Sequence, residues 1–283
     1  MQILPPYRRL HFAVNQYSWH VYYQRENRSL SEELHHALGQ VAACDTDGFE
    51  PNMENPADAA RYSHFLTQHG LSMRSIYVNS TLHDRDEADR SIELITAIAE
   101  SAQPFGTRLV VTNPNPIRWD EPIDKTDEQL ETQAKALNTL GEWLTEIGMK
   151  LAYHNHDAEM RCAGREFHHM MLATDPKNVS LCLDPHWIYR GAGNSSVALF
   201  DIVRLYGSRI SEIHLRQSRD GVWSETFDDG DIDYRSLANL LADMDVRPHL
   251  VLEQATEWGS PYTMDMLEAQ SRSIAYARDV FSR

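Results

Sequence analysis

The sequence predicts a (β/α)8 barrel, and three observations carry that reading. Short β-rich runs alternate with longer helical patterns from one end of the chain to the other, with no linker between them. There are eight such runs in 283 residues, and roughly 250 residues is typical of this barrel. Glycines (Gly70, Gly106, Gly148 and Gly207) sit between the end of a helical pattern and the next strand, as the αβ turns of a parallel sheet require. The expectation is one barrel domain over residues 1–283.

Taken in order, the runs expected as strands lie near residues 10–14, 48–51, 72–79, 108–112, 150–155, 179–183, 210–215 and 249–254. Their β-branched and leucine-rich content, each followed by a helix, suits a parallel sheet buried on both faces. The helical stretches carry apolar residues three and four apart, as in Leu130, Ala134, Leu137, Leu140, Leu144 and Ile147, or Leu237, Leu240, Leu241 and Met244. Ser29 with Glu32 and Thr126 with Gln129 have capping-box spacing before two of these helices. An open doubly wound sheet is the competing fold. It lacks support, because no Gly-x-Gly-x-x-Gly follows an early strand and no Gly-Lys-Ser/Thr phosphate loop is present.

Composition bounds the function. At 42% apolar and 24% charged residues, the chain can bury a large core, which argues against disorder. Its 42 acidic and 26 basic residues give a net charge of −16, which opposes nucleic-acid and anionic-membrane partners, and no run of Lys and Arg offsets it. Cys44, Cys162 and Cys182 form no Cys-x-x-Cys pair and suit a reducing compartment. Met1–Arg9 holds two prolines and two arginines without an apolar segment of signal-peptide length, and no later stretch has the length of a membrane span. A cytoplasmic enzyme is the expectation. The 14 histidines are numerous, so their position has to decide whether they matter.

In a barrel of this kind the active site lies at the C-terminal ends of the strands. The fifth strand runs into Tyr153-His154-Asn155-His156-Asp157-Ala158-Glu159 and the sixth into Leu183-Asp184-Pro185-His186-Trp187. The seventh runs into Ile213-His214-Leu215-Arg216-Gln217 and the eighth into Leu252-Glu253-Gln254. Four consecutive strands thus deliver His154, Asp184, His214 and Glu253 at matching positions, and closure points them into one mouth. Mixed imidazole and carboxylate donors suit a divalent ion such as Mn²⁺, Co²⁺, Fe²⁺, Zn²⁺ or Mg²⁺. Singly, each is as well explained as a helix cap or an ion-pair partner. Jointly, a shared cation removes the cost of leaving Asp184 and Glu253 unpaired in apolar strands. Strand alternation puts His154 and His156 on one side, Tyr153 and Asn155 on the other.

These motifs, with Ser218 extending the seventh-strand segment and with Gly230-Asp231-Ile232-Asp233-Tyr234, resemble the xylose isomerase-like barrels, often called sugar phosphate isomerases/epimerases. In the ketose 3-epimerases of that superfamily Glu, Asp, His and Glu from the fifth to eighth strands hold the metal. The resemblance implies Asp184, His214 and Glu253 as metal ligands here, with His154 in place of the first glutamate. It puts Glu159 near a second, substrate-contacting glutamate, where it would ligate metal or hold a sugar hydroxyl. The Tyr-His-Asn-His version is more similar to the inosose dehydratase and keto-sugar lyase branches, which remove a proton next to a carbonyl and expel a leaving group.

Both outcomes share one chemistry: a divalent ion polarises a carbonyl and stabilises the enediolate formed when a base takes the α-proton. His156 or His154 is the expected base, since imidazole titrates near neutrality without tuning; Glu159 and Glu253 are the other candidates. Candidate substrate contacts are Glu50, Trp19, Asn113, His186, Arg216 and Trp187, with Tyr17, Trp119, Trp223, Asn79 and Asn115 also near strand ends. The segment from Arg219 to Asp233 is strongly acidic where many barrels grip a phosphate, so the expected substrate is a non-phosphorylated sugar or keto-polyol. The plainer reading is that Asp231 or Asp233 caps the following helix.

The leading expectation is a metal-dependent isomerase or epimerase. A dehydratase or lyase on a keto-inositol or 3-keto-sugar is the alternative, and an apurinic-site endonuclease is disfavoured by charge. Asp184, His214 and Glu253 together disfavour a barrel that has lost activity. The resemblance also implies a homo-oligomer, commonly a dimer or tetramer.

Overall fold

A computed structural model describes residues 10–257 and 259–282. The expectation about Met1–Arg9 lies outside them. Eight parallel strands, Phe12–Asn15, Gly48–Glu50, Ser75–Tyr77, Leu109–Thr112, Lys150–His154, Val179–Leu183, Ile210–Leu215 and His249–Leu252, are named first to eighth below. All eight match the expected runs. They pair in the order second, first, eighth, seventh, sixth, fifth, fourth, third. The remaining seam, between second and third, is bridged rather than fully laddered: Phe49 N donates to Ser72 O at 3.0 Å and Tyr77 N to Pro51 O at 2.9 Å. The result is a nearly closed (β/α)8 barrel.

Two apolar layers follow from strand alternation. Residues such as Val110, Leu151, Tyr153, Leu181, Leu183, Ile213 and Leu252 join the main core under the helices. A separate cluster of Tyr77, Leu109, Val111, Ala152 and Cys182 alternates with them and therefore fills the inner face. By the same parity His11, Asn15, Glu50, Glu212, His214, His249 and Glu253 also point inward. The inner face is thus apolar at Tyr77, Leu109, Val111, Ala152 and Cys182 and largely polar on the first, second, seventh and eighth strands, with Ser75 and His154 adding polar groups on the third and fifth.

Local signals mostly act as expected. The helix Asp127–Glu146 begins with the full Thr126/Gln129 capping box and buries Leu130, Ala134, Leu137, Leu140 and Leu144. Gly70, Gly106 and Gly148 adopt φ of +69°, +98° and +77° at helix ends. One signal needs correction. Ser29 Oγ accepts the Glu32 N–H at 3.3 Å, but this closes a turn, and the α-helix starts only at Leu34. Gly207 also lies where expected, between the helix Ser196–Tyr206 and the seventh strand; its φ is −55°, and a Cβ there would come within 2.6 Å of Met244 Cε, so close packing explains the glycine. No helix among the described residues is long and apolar enough to cross a membrane.

Candidate metal centre and its cavity

The strand ends bring His154, Asp184 and Glu253 together, with one potential ligand atom from each within 4.8 Å of the others. The His214 ring centre lies 4.7 Å from that of His154, and its Nδ1 is 3.1 Å from Glu253 Oε2. All four are buried. Asp184 is also the N-cap of the helix Pro185–Gly191: Oδ1 accepts the N–H groups of His186 and Trp187 at 2.8 and 3.0 Å. Its Oδ2 is buried without a partner, as are both ring nitrogens of His154. Such atoms cost about 1–3 kcal/mol each when left unsatisfied. Two imidazoles and two carboxylates with unclaimed atoms fit a divalent cation by donor chemistry.

The electrostatics agree. Burial pushes Asp184 up to about 7, with Arg216 pulling the other way and Glu253 adding to the rise. Burial, then His214 and His156, holds His154 well below the usual imidazole range. At Glu253 burial favours protonation, but the His214 charge and hydrogen bond outweigh it and the carboxyl is lowered. For His214 burial is likewise overcome, by Cys182, Glu50 and Glu253, and the imidazolium is favoured. The site is therefore a crowded set of acids held by one imidazolium and the Arg216 guanidinium.

Beside it opens a cavity of about 370 Å³, lined by Tyr17, His156, Trp187, Arg216 and Glu253, with Asn79 and Trp119 toward its mouth. His156 stands 4.9 Å from His154 between ring centres, and burial lowers it to about 4, so it is a neutral imidazole. The Arg216 guanidinium lies 4.4 Å from the Trp223 ring and 5.1 Å from Trp187, and donates to Glu257 at 2.5 Å. Tyr17 Oη donates to the same carboxylate at 3.2 Å. The cation is thus fixed by stacking as well as by charge.

Of the sequence candidates, His154, Asp184, His214 and Glu253 converge, and His156, Arg216 and Trp187 line the cavity. Others do not. Trp19 is fully buried in the main core, away from the cavity. His186 points its Nε2 at Ser218 Oγ (2.9 Å) and stacks on Trp223, with ring centres 4.0 Å apart. Glu159 is spent on local bonds: Oε2 accepts the His156 N–H at 2.7 Å and Oε1 accepts Asn113 Nδ2 at 3.1 Å. Asn113 also donates to His154 O. Asn115 bonds Thr81. Glu50 lies beneath the cavity, its Oε2 3.0 Å from His214 Nε2. Asp233 caps the helix Tyr234–Asp243, whereas Asp231 stitches the hairpin Ser218–Trp223.

Sequence reading passed over Tyr77, Asn52, Glu257 and above all Glu212. The last carried a signal: it stands two residues before His214 and therefore on the same face of the strand.

Residues 38–278 match the family described as xylose isomerase-like TIM barrel. An inosose dehydratase from Geobacillus kaustophilus is 26% identical over 232 residues, covering 70% of this chain and 73% of that protein. Among solved structures, a sugar phosphate isomerase/epimerase from Parabacteroides distasonis superposes with a TM-score of 0.74 at 15% identity, covering 98% of both chains. An L-ribulose 3-epimerase superposes with a TM-score of 0.73 at 16% identity, covering 96% of this chain and 95% of that one.

Proposed function

Because this chain belongs to the xylose isomerase-like TIM barrel family, we propose that it is a divalent-metal-dependent isomerase or epimerase of a small, non-phosphorylated keto-sugar or keto-polyol. The observation that carries this is the set of orphaned, buried ligand atoms on His154 and Asp184, within reach of Glu253 and beside a neutral imidazole. His154, Asp184, His214 and Glu253 would hold the cation. Bound there, it supplies Lewis-acid polarisation of a substrate carbonyl and its neighbouring hydroxyl.

The remaining work falls to the chain. His156, neutral and facing the cavity, is the base that takes the α-proton; its Nδ1 is buried without a partner. Glu253 is the second proton-accepting group at the cavity wall. Trp187 and Tyr17 supply apolar faces for a sugar ring, and Arg216 donates to hydroxyl or carbonyl oxygens. Absence of a phosphate on the substrate is supported by the seventh-strand loop. The backbone N–H groups of Asp220 and Gly221, which a phosphate would use, already donate to the Asp231 carboxylate at 2.8 and 2.9 Å.

A second reading, a dehydratase on a keto-inositol or keto-sugar, is favoured by the likeness to inosose dehydratases and by His154 standing where the epimerases have a glutamate. One experiment covers both. Chelated protein is reloaded with Mn²⁺, Co²⁺, Mg²⁺ or Zn²⁺ and incubated in D₂O with free ketoses, 3-keto-sugars and keto-inositols, and followed by NMR and ultraviolet absorption. Metal-dependent exchange of the α-proton is expected, with an isomerised sugar as product. An unsaturated ketone would establish the dehydratase instead. Absence of stoichiometric metal together with absence of exchange would overturn both.

A further inference from the structure

The cavity beside the strand ends is longer than one sugar ring. Outward from His154, the ring centre of His156 follows at 4.9 Å, and that of Trp119 stands 5.1 Å from His156. Each step is about the advance of one ring in a saccharide chain. The volume points the same way: the cavity holds about 370 Å³, whereas a hexose fills on the order of 200 Å³ at interior packing density. Trp119 sits at the tip of a loop whose base is closed. The buried Lys125 Nζ donates to Pro114 O at 3.3 Å and pairs with Glu166 Oε1 at 2.6 Å, which ties the two ends of the loop together. Residues 118–124 between them are exposed, and Arg118 braces the tip by pairing with Asp120 at 2.7 Å and Glu121 at 3.1 Å. Compact loops closed in this way recur at functional sites.

We propose that the loop 114–125 carries a subsite for a second sugar ring, so that the substrate is a two-ring keto-glycoside with its keto ring at the cation site and the neighbouring ring on Trp119. The inference rests on the reading of the cavity as a keto-sugar site. Trp119 meets His156 edge-on, with the ring planes at 83°, and is still 61% exposed, so packing within the chain accounts for only part of its surface. On the same cavity wall Asn79 and Asp157 present exposed polar side chains. An indole face flanked by an amide and a carboxylate matches a ring that has both an apolar C–H face and a rim of hydroxyls. It matches an aryl group less well, since the amide and carboxylate then gain no partner.

The test uses full-length protein loaded with Zn²⁺, with methyl 3-keto-glucoside as the one-ring probe and 3-ketomaltose and 3-ketocellobiose as the two-ring probes, read by titration and by saturation-transfer NMR. At least one two-ring probe is expected to bind roughly 5- to 10-fold more tightly than the one-ring probe, with saturation reaching the C–H protons of its second ring. Trp119→Ala should weaken two-ring binding by about that factor and change one-ring binding much less, and Trp119→Phe should keep part of the gain. If no keto-sugar of either size binds, the keto-sugar reading of the cavity falls and this inference with it. If the one-ring probe binds and the second ring adds no affinity, or the gain survives in Trp119→Ala, this inference alone is overturned.

Discussion

Glu159 grips the backbone of His156: its Oε2 accepts the His156 N–H at 2.7 Å, while Oε1 takes Asn113 Nδ2 at 3.1 Å. Burial, then the nearby Glu166 charge, pushes its carboxyl up to about 7, with Lys125 opposing. A side chain with both oxygens engaged in holding the segment that carries His156 is a support for that proposed base.

Glu159→Ala leaves two buried donors without acceptors, each costing about 1–3 kcal/mol. Chemical denaturation should therefore show a loss of roughly 2–4 kcal/mol. In the kinetics kcat should fall by about 10-fold or more with KM little changed, because the imidazole is misplaced rather than the substrate released. A variant of wild-type stability would contradict the bonding seen here.

Asp184 serves the helix cap with Oδ1, and its unpartnered Oδ2 is the atom proposed to meet the cation. Asn keeps an acceptor for the cap and removes the charge. Asp184→Asn should remain folded by circular dichroism yet lose most of its bound divalent metal by elemental analysis. Retained stoichiometric metal would exclude Asp184 as a ligand.

Two tryptophans separate core from cavity. Trp19 is fully buried, and Trp19→Ala should cost about 3–5 kcal/mol in urea unfolding. Trp119 is 61% exposed at the cavity mouth, against the edge of His156. Trp119→Ala should change stability by no more than about 0.5 kcal/mol and raise KM. The opposite pattern would reverse their assignment.

His11 is lowered from 6.5 to about 3 by burial first, then by His249 and Arg74, with Asp47 opposing. Its folded value lies below its unfolded one, so as pH falls below 6.5 the unfolded chain takes the proton first. The stability that this residue contributes is complete above about pH 6.5 and is lost as pH falls toward about 3. His83 shifts in the same direction, so the informative quantity is a difference. Unfolding free energies measured through this interval should fall less steeply in His11→Asn than in wild type, and equal slopes would refute the assignment.

Much of the fold was legible because its signals are local. Strand alternation, helix periodicity and the glycines at 70, 106 and 148 act over a few residues, and each was in its expected place. Ser29 misled because a helix cap looks alike in sequence to the cap of a simple turn. At the site, His154, Asp184, His214 and Glu253 were legible because barrel closure is implied by eight repeated units, and closure alone makes successive strand ends meet. Trp19 and Trp187 could not be told apart, since both follow a strand and only the direction of the chain after it sends one to the core and the other to the cavity.

By itself, then, the sequence determined the eight units, the inward parity of each strand and the four strand-end residues that converge. Only the tertiary structure decided what each inward side chain faces across the barrel. It placed Glu50 and Glu212 under His214, turned Glu159 onto its own backbone, and ran His11 and His249 into one hydrogen-bonded line. The physical reason is range: parity is a property of one strand, whereas a hydrogen bond between the second and seventh strands depends on shear and closure of the whole sheet.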